Sequence, residues 1–112
     1  MIKRFKPAIE GGLTLLRKDA NFLIHIVAAI LVVILGVYFD VSKFEWFFLL
    51  IAIFSVLITE AINTAIEYAV DLTTEEYHIW AKHAKDIAAF SVLLASIFSI
   101  IIGLMIFLPR LF

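Results

Sequence analysis

The chain has no cysteine, two prolines and four glycines in 112 residues. Without cysteine there is no disulfide framework, no thiolate nucleophile and no cysteine zinc site. So little proline and glycine leaves long helices uninterrupted. Charge is also scarce. Charged residues are 17% of the chain, below the roughly 25% of soluble domains. No glycine-rich loop precedes a Lys-Ser or Lys-Thr pair, so a P-loop is excluded. What is abundant is hydrocarbon. Hydrophobic residues make up 64% of the sequence, with eleven phenylalanines and a mean hydropathy of +1.10. A soluble domain of this length cannot bury that much apolar surface. A water-soluble enzyme, a nucleic-acid binder and a disordered tail are excluded on this ground. The fold class expected is an all-α integral membrane protein.

Three apolar runs are long enough to cross a bilayer, which takes about 20 helical residues. They lie at 20–39, 46–70 and 87–108. The first is too long for the h-region of a signal peptide, and no small-residue cleavage site follows it. Before it, residues 4–18 place Phe5, Ala8, Ile9, Gly12, Leu13 and Leu16 at helical spacing, with Lys6, Glu10, Arg17 and Lys18 on the other side. That pattern predicts an amphipathic helix lying on the inner leaflet. A second surface segment is expected over Thr73–Lys85. The whole of 1–112 reads as one membrane-embedded domain.

Orientation follows from lysine and arginine near the span ends. Lys3, Arg4, Lys6, Arg17 and Lys18 precede the first span, and Lys82 and Lys85 lie between the second and third. Lys43 and Arg110 lie on the other side. The N-terminus and the 71–86 segment are therefore expected to be cytoplasmic.

The second span ends in Glu-Ala-Ile-Asn-Thr-Ala-Ile-Glu-Tyr-Ala-Val-Asp at 60–71. On a helix, Glu60, Asn63, Glu67 and Asp71 fall within an arc of about 80°. Ionisable groups at the centre of a span cost roughly 2.5–3.5 kcal/mol each and usually mark a site facing protein or water. Asp19, Lys85 and Asp86 begin the neighbouring spans at the same face, so packing should gather all of these in one layer. Many oxygen ligands suit a hard cation such as Mg²⁺, and Mg²⁺ suits phosphate chemistry. An ion or proton path, as in a small transport subunit, and a polar clasp between helices use the same residues. His25 reads as a packing residue, and His78 with His83 as a solvated pair too poorly spaced for zinc.

The 60–71 segment resembles the Glu-x-x-Asn-[Ser/Thr]-Ala-Ile-Glu-x-x-x-Asp motif of the prokaryotic diacylglycerol and undecaprenol kinases. Glu76-Tyr77-His78 and Ala84-Lys85-Asp86 match in order and spacing, and Ala8 with Gly11 resembles the surface-helix motif. Asp19-Ala20-Asn21-Phe22 followed by His25, and Glu45-Trp46, are similar to the undecaprenol kinase branch. The resemblance covers nearly the whole chain. It implies a bacterial cell-membrane lipid kinase, a homotrimer of three-span protomers each with a surface helix. Such an enzyme moves the γ-phosphate of ATP to a membrane lipid alcohol with Mg²⁺, at sites between protomers on the cytoplasmic face. Undecaprenol is the acceptor it points to, with diacylglycerol the alternative. By the motif, Glu60 is the general base, Asp19 and Glu67 hold the metal and through it the nucleotide, and Asn63 and Asp71 support the site. Glu76, Tyr77, His78, Lys85 and Asp86 contact the nucleotide. One departure stands out: the family usually has glutamate where this chain has Asp19, whose side chain is one methylene shorter.

Overall fold

Four helices follow one another in the computed structural model, which describes residues 2–73 and 76–112. They are α1 (Ile2–Lys18), α2 (Ala20–Tyr38), α3 (Lys43–Thr73) and α4 (Ile79–Leu111). The last three are long and apolar enough to cross a membrane. Each contains one of the expected runs, apart from Phe39, which caps the C-terminus of α2.

The first helix starts two residues earlier than the sequence pattern suggests. Phe5, Ile9, Leu13 and Leu16 lie exposed along it as an apolar stripe. Asp19 breaks the chain between α1 and α2. Its extended backbone and its carboxylate, which accepts the Asn21 and Phe22 N–H groups, start the next helix.

The turn between α2 and α3 is short. Asp40 takes the left-handed conformation at φ 51°, which aspartate tolerates better than most residues. Ser42 and Glu45 then form a reciprocal capping box: the Glu45 N–H donates to the Ser42 hydroxyl and the Ser42 N–H to the Glu45 carboxylate. Gly36 lets the hairpin close. A Cβ there would lie 2.6 Å from the Trp46 indole. Val41, Leu49 and Ile106 are buried beside that ring and form the core at this end of the bundle. The Arg110 guanidinium grips Glu45 with two bonds of 2.6 and 2.7 Å, fixing the end of α4 to the start of α3.

The surface segment expected over Thr73–Lys85 is not a separate element. Helix α3 continues to Thr73, and α4 is already formed at Ile79. Thr74 and Glu75 lie outside the described residues. The reason is local. His78 caps α4, its Nδ1 accepting the Trp80 N–H. Lys82 and Asp86 then pair one turn apart on the new helix, and no glycine or proline intervenes before Gly103. Helix α3, with 31 residues, is about 46 Å long, against a hydrocarbon core of about 30 Å. Its last turns, with Glu67 and Asp71, therefore extend toward the membrane surface. Both α2 and α4 pack on α3, and midway along α4 the Ser99 hydroxyl donates to the Ala52 carbonyl at 2.9 Å.

Candidate active site at the carboxylate face

The face of α3 that carries Glu60, Asn63 and Thr64 is buried against its neighbours. Glu60 is 4% exposed. A buried carboxylate in an apolar bundle needs partners, and here they come from α2. The Asp19 carboxyl group lies close enough to Glu60 for the two to interact electrostatically. His25 Nε2 lies 3.9 Å from Glu60 Oε2. The Thr64 hydroxyl donates to Asp19 Oδ2 at 2.6 Å. One turn further on, the Asn63 amide donates to Glu67 Oε1 at 3.3 Å.

Asp19 thus does two jobs. It caps α2 and reaches α3. Burial acts to raise its carboxyl, but the Thr64 hydroxyl, the Phe22 N–H, Glu60 and the Asn21 N–H together hold it below its ordinary value.

The helical period and the span ends predict one layer holding Asp19, Glu60, Asn63, Glu67, Asp71, Lys85 and Asp86. The structure divides them into two groups. Asp19, Glu60, Asn63 and Glu67, with His25 and Thr64, form the deep group. Asp71, Glu76, Tyr77, His78, Lys85 and Asp86 form the second, and with Lys82 they line a pocket of about 410 Å³ at the end of the bundle. The division has a geometric cause. Asp71 lies one helical turn beyond Glu67, about 6 Å along the axis, beyond the start of α2. There its neighbours come from α4. Lys85 bonds Asp71 across the two helices, and Lys82 bonds Asp86 along α4. Both lysines therefore have carboxylate partners, in pairs that remain open to solvent.

Glu60, Asp19 and Glu67 have no lysine or arginine partner among the described residues, and Asn63 Oδ1 is buried without a hydrogen bond. A dense group of oxygen acceptors lacking a cation suits a hard divalent ion. Among the described residues no three side chains are close enough to enclose one unaided. An ion held by Asp19 and Glu67 would share its coordination with phosphate oxygens and water, as Mg²⁺ commonly does.

Thr64 is the site residue that composition and spacing did not single out, and His25 is one that they read as a packing residue. Thr64 lies next to Asn63 on the same face of the 60–71 segment, a signal present in the helical period. His25 is visible only as one polar residue one turn inside an apolar run.

A buried Glu60, with Asp19 and the more exposed Glu67 beside it in a three-span bundle and a separate polar pocket at the bundle's end, defines a small integral-membrane protein built around an acidic site. Comparison with known proteins says which. The family model for prokaryotic diacylglycerol kinase matches residues 6–107. An undecaprenol kinase of Bacillus subtilis is 42% identical over 109 residues, covering 97% of this chain and 89% of that one. A diacylglycerol kinase of Synechocystis is 35% identical over 112 residues, covering 99% of this chain and 64% of the relative. A diacylglycerol kinase of Escherichia coli is 35% identical over 83 residues, 74% of this chain and 68% of the other. The chain belongs to the prokaryotic diacylglycerol kinase family, whose named relatives are kinases.

Proposed function

We propose that this protein transfers the γ-phosphate of ATP to a membrane lipid alcohol, with undecaprenol as the acceptor. The observation that carries the reading is the burial of Glu60 at the apolar end of the carboxylate group, with the polar pocket at the opposite end. A lipid hydroxyl reaches a site from the bilayer and a nucleotide from water. The two ends of this group are ordered in that way. The 42% identity to a protein named undecaprenol kinase favours undecaprenol. The diacylglycerol kinases among the relatives favour diacylglycerol as the second reading.

In this mechanism the lipid hydroxyl lies against Glu60. Glu60 accepts its proton as the oxygen attacks the γ-phosphorus. The bond to the β-γ bridging oxygen breaks, ADP leaves and the lipid monophosphate forms. General-base catalysis of this kind contributes about 10²–10⁴ in rate. Asp19 and Glu67 would hold Mg²⁺, and the ion would offset the charge of the phosphates. Thr64 fixes the Asp19 carboxylate, and Asn63 fixes Glu67. Glu76, Tyr77, His78, Lys85 and Asp86 receive the nucleotide in the polar pocket. Lys85 exchanges Asp71 for phosphate oxygens as charge develops there.

The lysine and arginine distribution supports a site that faces the cytoplasm. The protein works as a homo-oligomer, a trimer by family resemblance. Carboxylates this close to lipid need a neighbour's helices to cover them. Purified protein given [γ-³²P]ATP, Mg²⁺ and a panel of lipid alcohols tests the reading. Label should appear in undecaprenyl phosphate. Label in phosphatidic acid alone selects the second reading, and no labelled lipid of any kind rejects both.

A further inference from the structure

An apolar cleft of about 240 Å³ lies between α2, α3 and α4. Its wall on α2 extends from His25 to Val32, on α3 from Leu49 to Val56, and on α4 from Ser96 to Gly103. Each stretch covers eight residues, seven helical steps, so the cleft is a slot about 10 Å long parallel to the spans. Its inner end reaches the carboxylate site. His25 lines the slot and lies 3.9 Å from Glu60, and Val56 precedes Glu60 by one turn.

Small side chains make the slot. Ala28, Ala29, Ala52, Ser99 and Gly103 stand where larger residues would close it. Ser99 directs its hydroxyl into the wall, onto the Ala52 carbonyl. Apart from Ser96 and His25 the lining is therefore hydrocarbon, and His25 is its one ionisable residue. A Cβ on Gly103 would meet nothing within 4 Å, so the space beside it is open. The volume falls below the roughly 300–1,000 Å³ of sites for drug-sized ligands. It suits a short length of one hydrocarbon chain, and two chains side by side exceed it.

We propose that this slot holds the head-proximal stretch of a single acceptor chain, so that the protein selects lipid alcohols with one chain at the hydroxyl over two-chain glycerolipids. The proposal rests on the lipid kinase reading. The chain enters from the membrane, follows Gly103, Ala52 and Ala29 inward, and presents its hydroxyl past His25 to Glu60. Gly103 and Ala29 set the width of the slot from opposite walls and are specificity-determining residues.

The test combines a binding arm and a turnover arm. In the first, the full chain in lipid nanodiscs, without nucleotide, is irradiated with a diazirine-bearing single-chain prenol, and adducts are mapped by mass spectrometry. Adducts are expected at Val32, Ile53 and Ile100 and should be lost in Gly103→Leu. Adducts confined to exposed positions such as Phe90 and Met105 overturn the proposal. So does protection of a cysteine at position 103 by a second copy of the chain when no prenol is present. In the second arm, kcat/KM is measured for a long prenol, a short water-dispersible prenol and diacylglycerol. Gly103→Leu should lower the ratio of long prenol to diacylglycerol by about tenfold or more, in the range that pocket-size changes produce. Ala29→Leu, from the opposite wall, should do the same if Gly103→Leu fails to fold. Leu104→Phe, which adds bulk outside the slot, should leave the ratio unchanged. Equal ratios in wild type and both slot variants overturn the proposal. Adducts in the slot with no turnover of any alcohol reject the kinase reading and leave the slot standing.

Discussion

The Thr64 hydroxyl donates to the Asp19 carboxylate at 2.6 Å, joining residues 45 positions apart. This bond ties the buried face of α3 to the N-terminal cap of α2. The same carboxylate receives the Asn21 and Phe22 amides and interacts with Glu60. One side chain therefore starts a helix and sets the position of the site.

Thr64→Val keeps the shape of the side chain and removes the donor. Asp19 is part-buried and keeps its two backbone N–H donors, so losing this one hydrogen bond costs about 0.5–1.5 kcal/mol. We expect a lower melting temperature in detergent and a higher Mg²⁺ requirement, with Thr64→Ser close to wild type in both. An unchanged Mg²⁺ titration in Thr64→Val would show that Asp19 does not depend on this bond.

Glu60→Gln preserves size and hydrogen bonding and cannot take up a proton. Its kcat should fall by about 10²–10⁴, while nucleotide binding, measured by calorimetry, stays near wild type. If kcat survives and Asp86→Asn abolishes it instead, the base lies elsewhere.

Glu67→Gln removes a negative oxygen ligand and leaves an amide beside Asn63. The Mg²⁺ concentration for half-maximal activity should rise steeply, with a smaller effect on kcat once the ion saturates. Mg²⁺ dependence identical to wild type excludes Glu67 from the metal site.

Gly36→Ala places a methyl 2.6 Å from the Trp46 indole. That ring is packed against the buried Leu49 and Ile106 core, so it has little room to turn. Overpacking of this kind costs about 1–3 kcal/mol. Thermal unfolding should detect the loss, and adding Trp46→Leu should recover part of it. A fully stable Gly36→Ala single variant would mean that the hairpin opens without cost.

Topology can be checked directly, because the chain has no cysteine of its own. A cysteine at position 43 should react with an impermeant maleimide only from outside the cell, and one at position 4 only after permeabilisation. The reverse pattern refutes the cytoplasmic placement of the site.

The sequence by itself determined what depends on neighbours along the chain. Bilayer-length apolar runs gave the three spans, and the 3.6-residue period gave the apolar stripe of α1 and the polar face of Glu60, Asn63 and Glu67. Both are properties of one helix. Only the tertiary structure decided which faces meet. The period places Asp71 on the same stripe as Glu60, yet Asp71 pairs with Lys85 of α4 while Glu60 meets Asp19 and His25 of α2. Helix α2 starts at Ala20 and ends its reach near Glu67, so the polar stripe passes from one neighbour to the other. The slot beside His25 is hidden in the sequence for a related reason. Alanine, serine and glycine spread over three helices have no local period in common, and they make a space only where the helices cross.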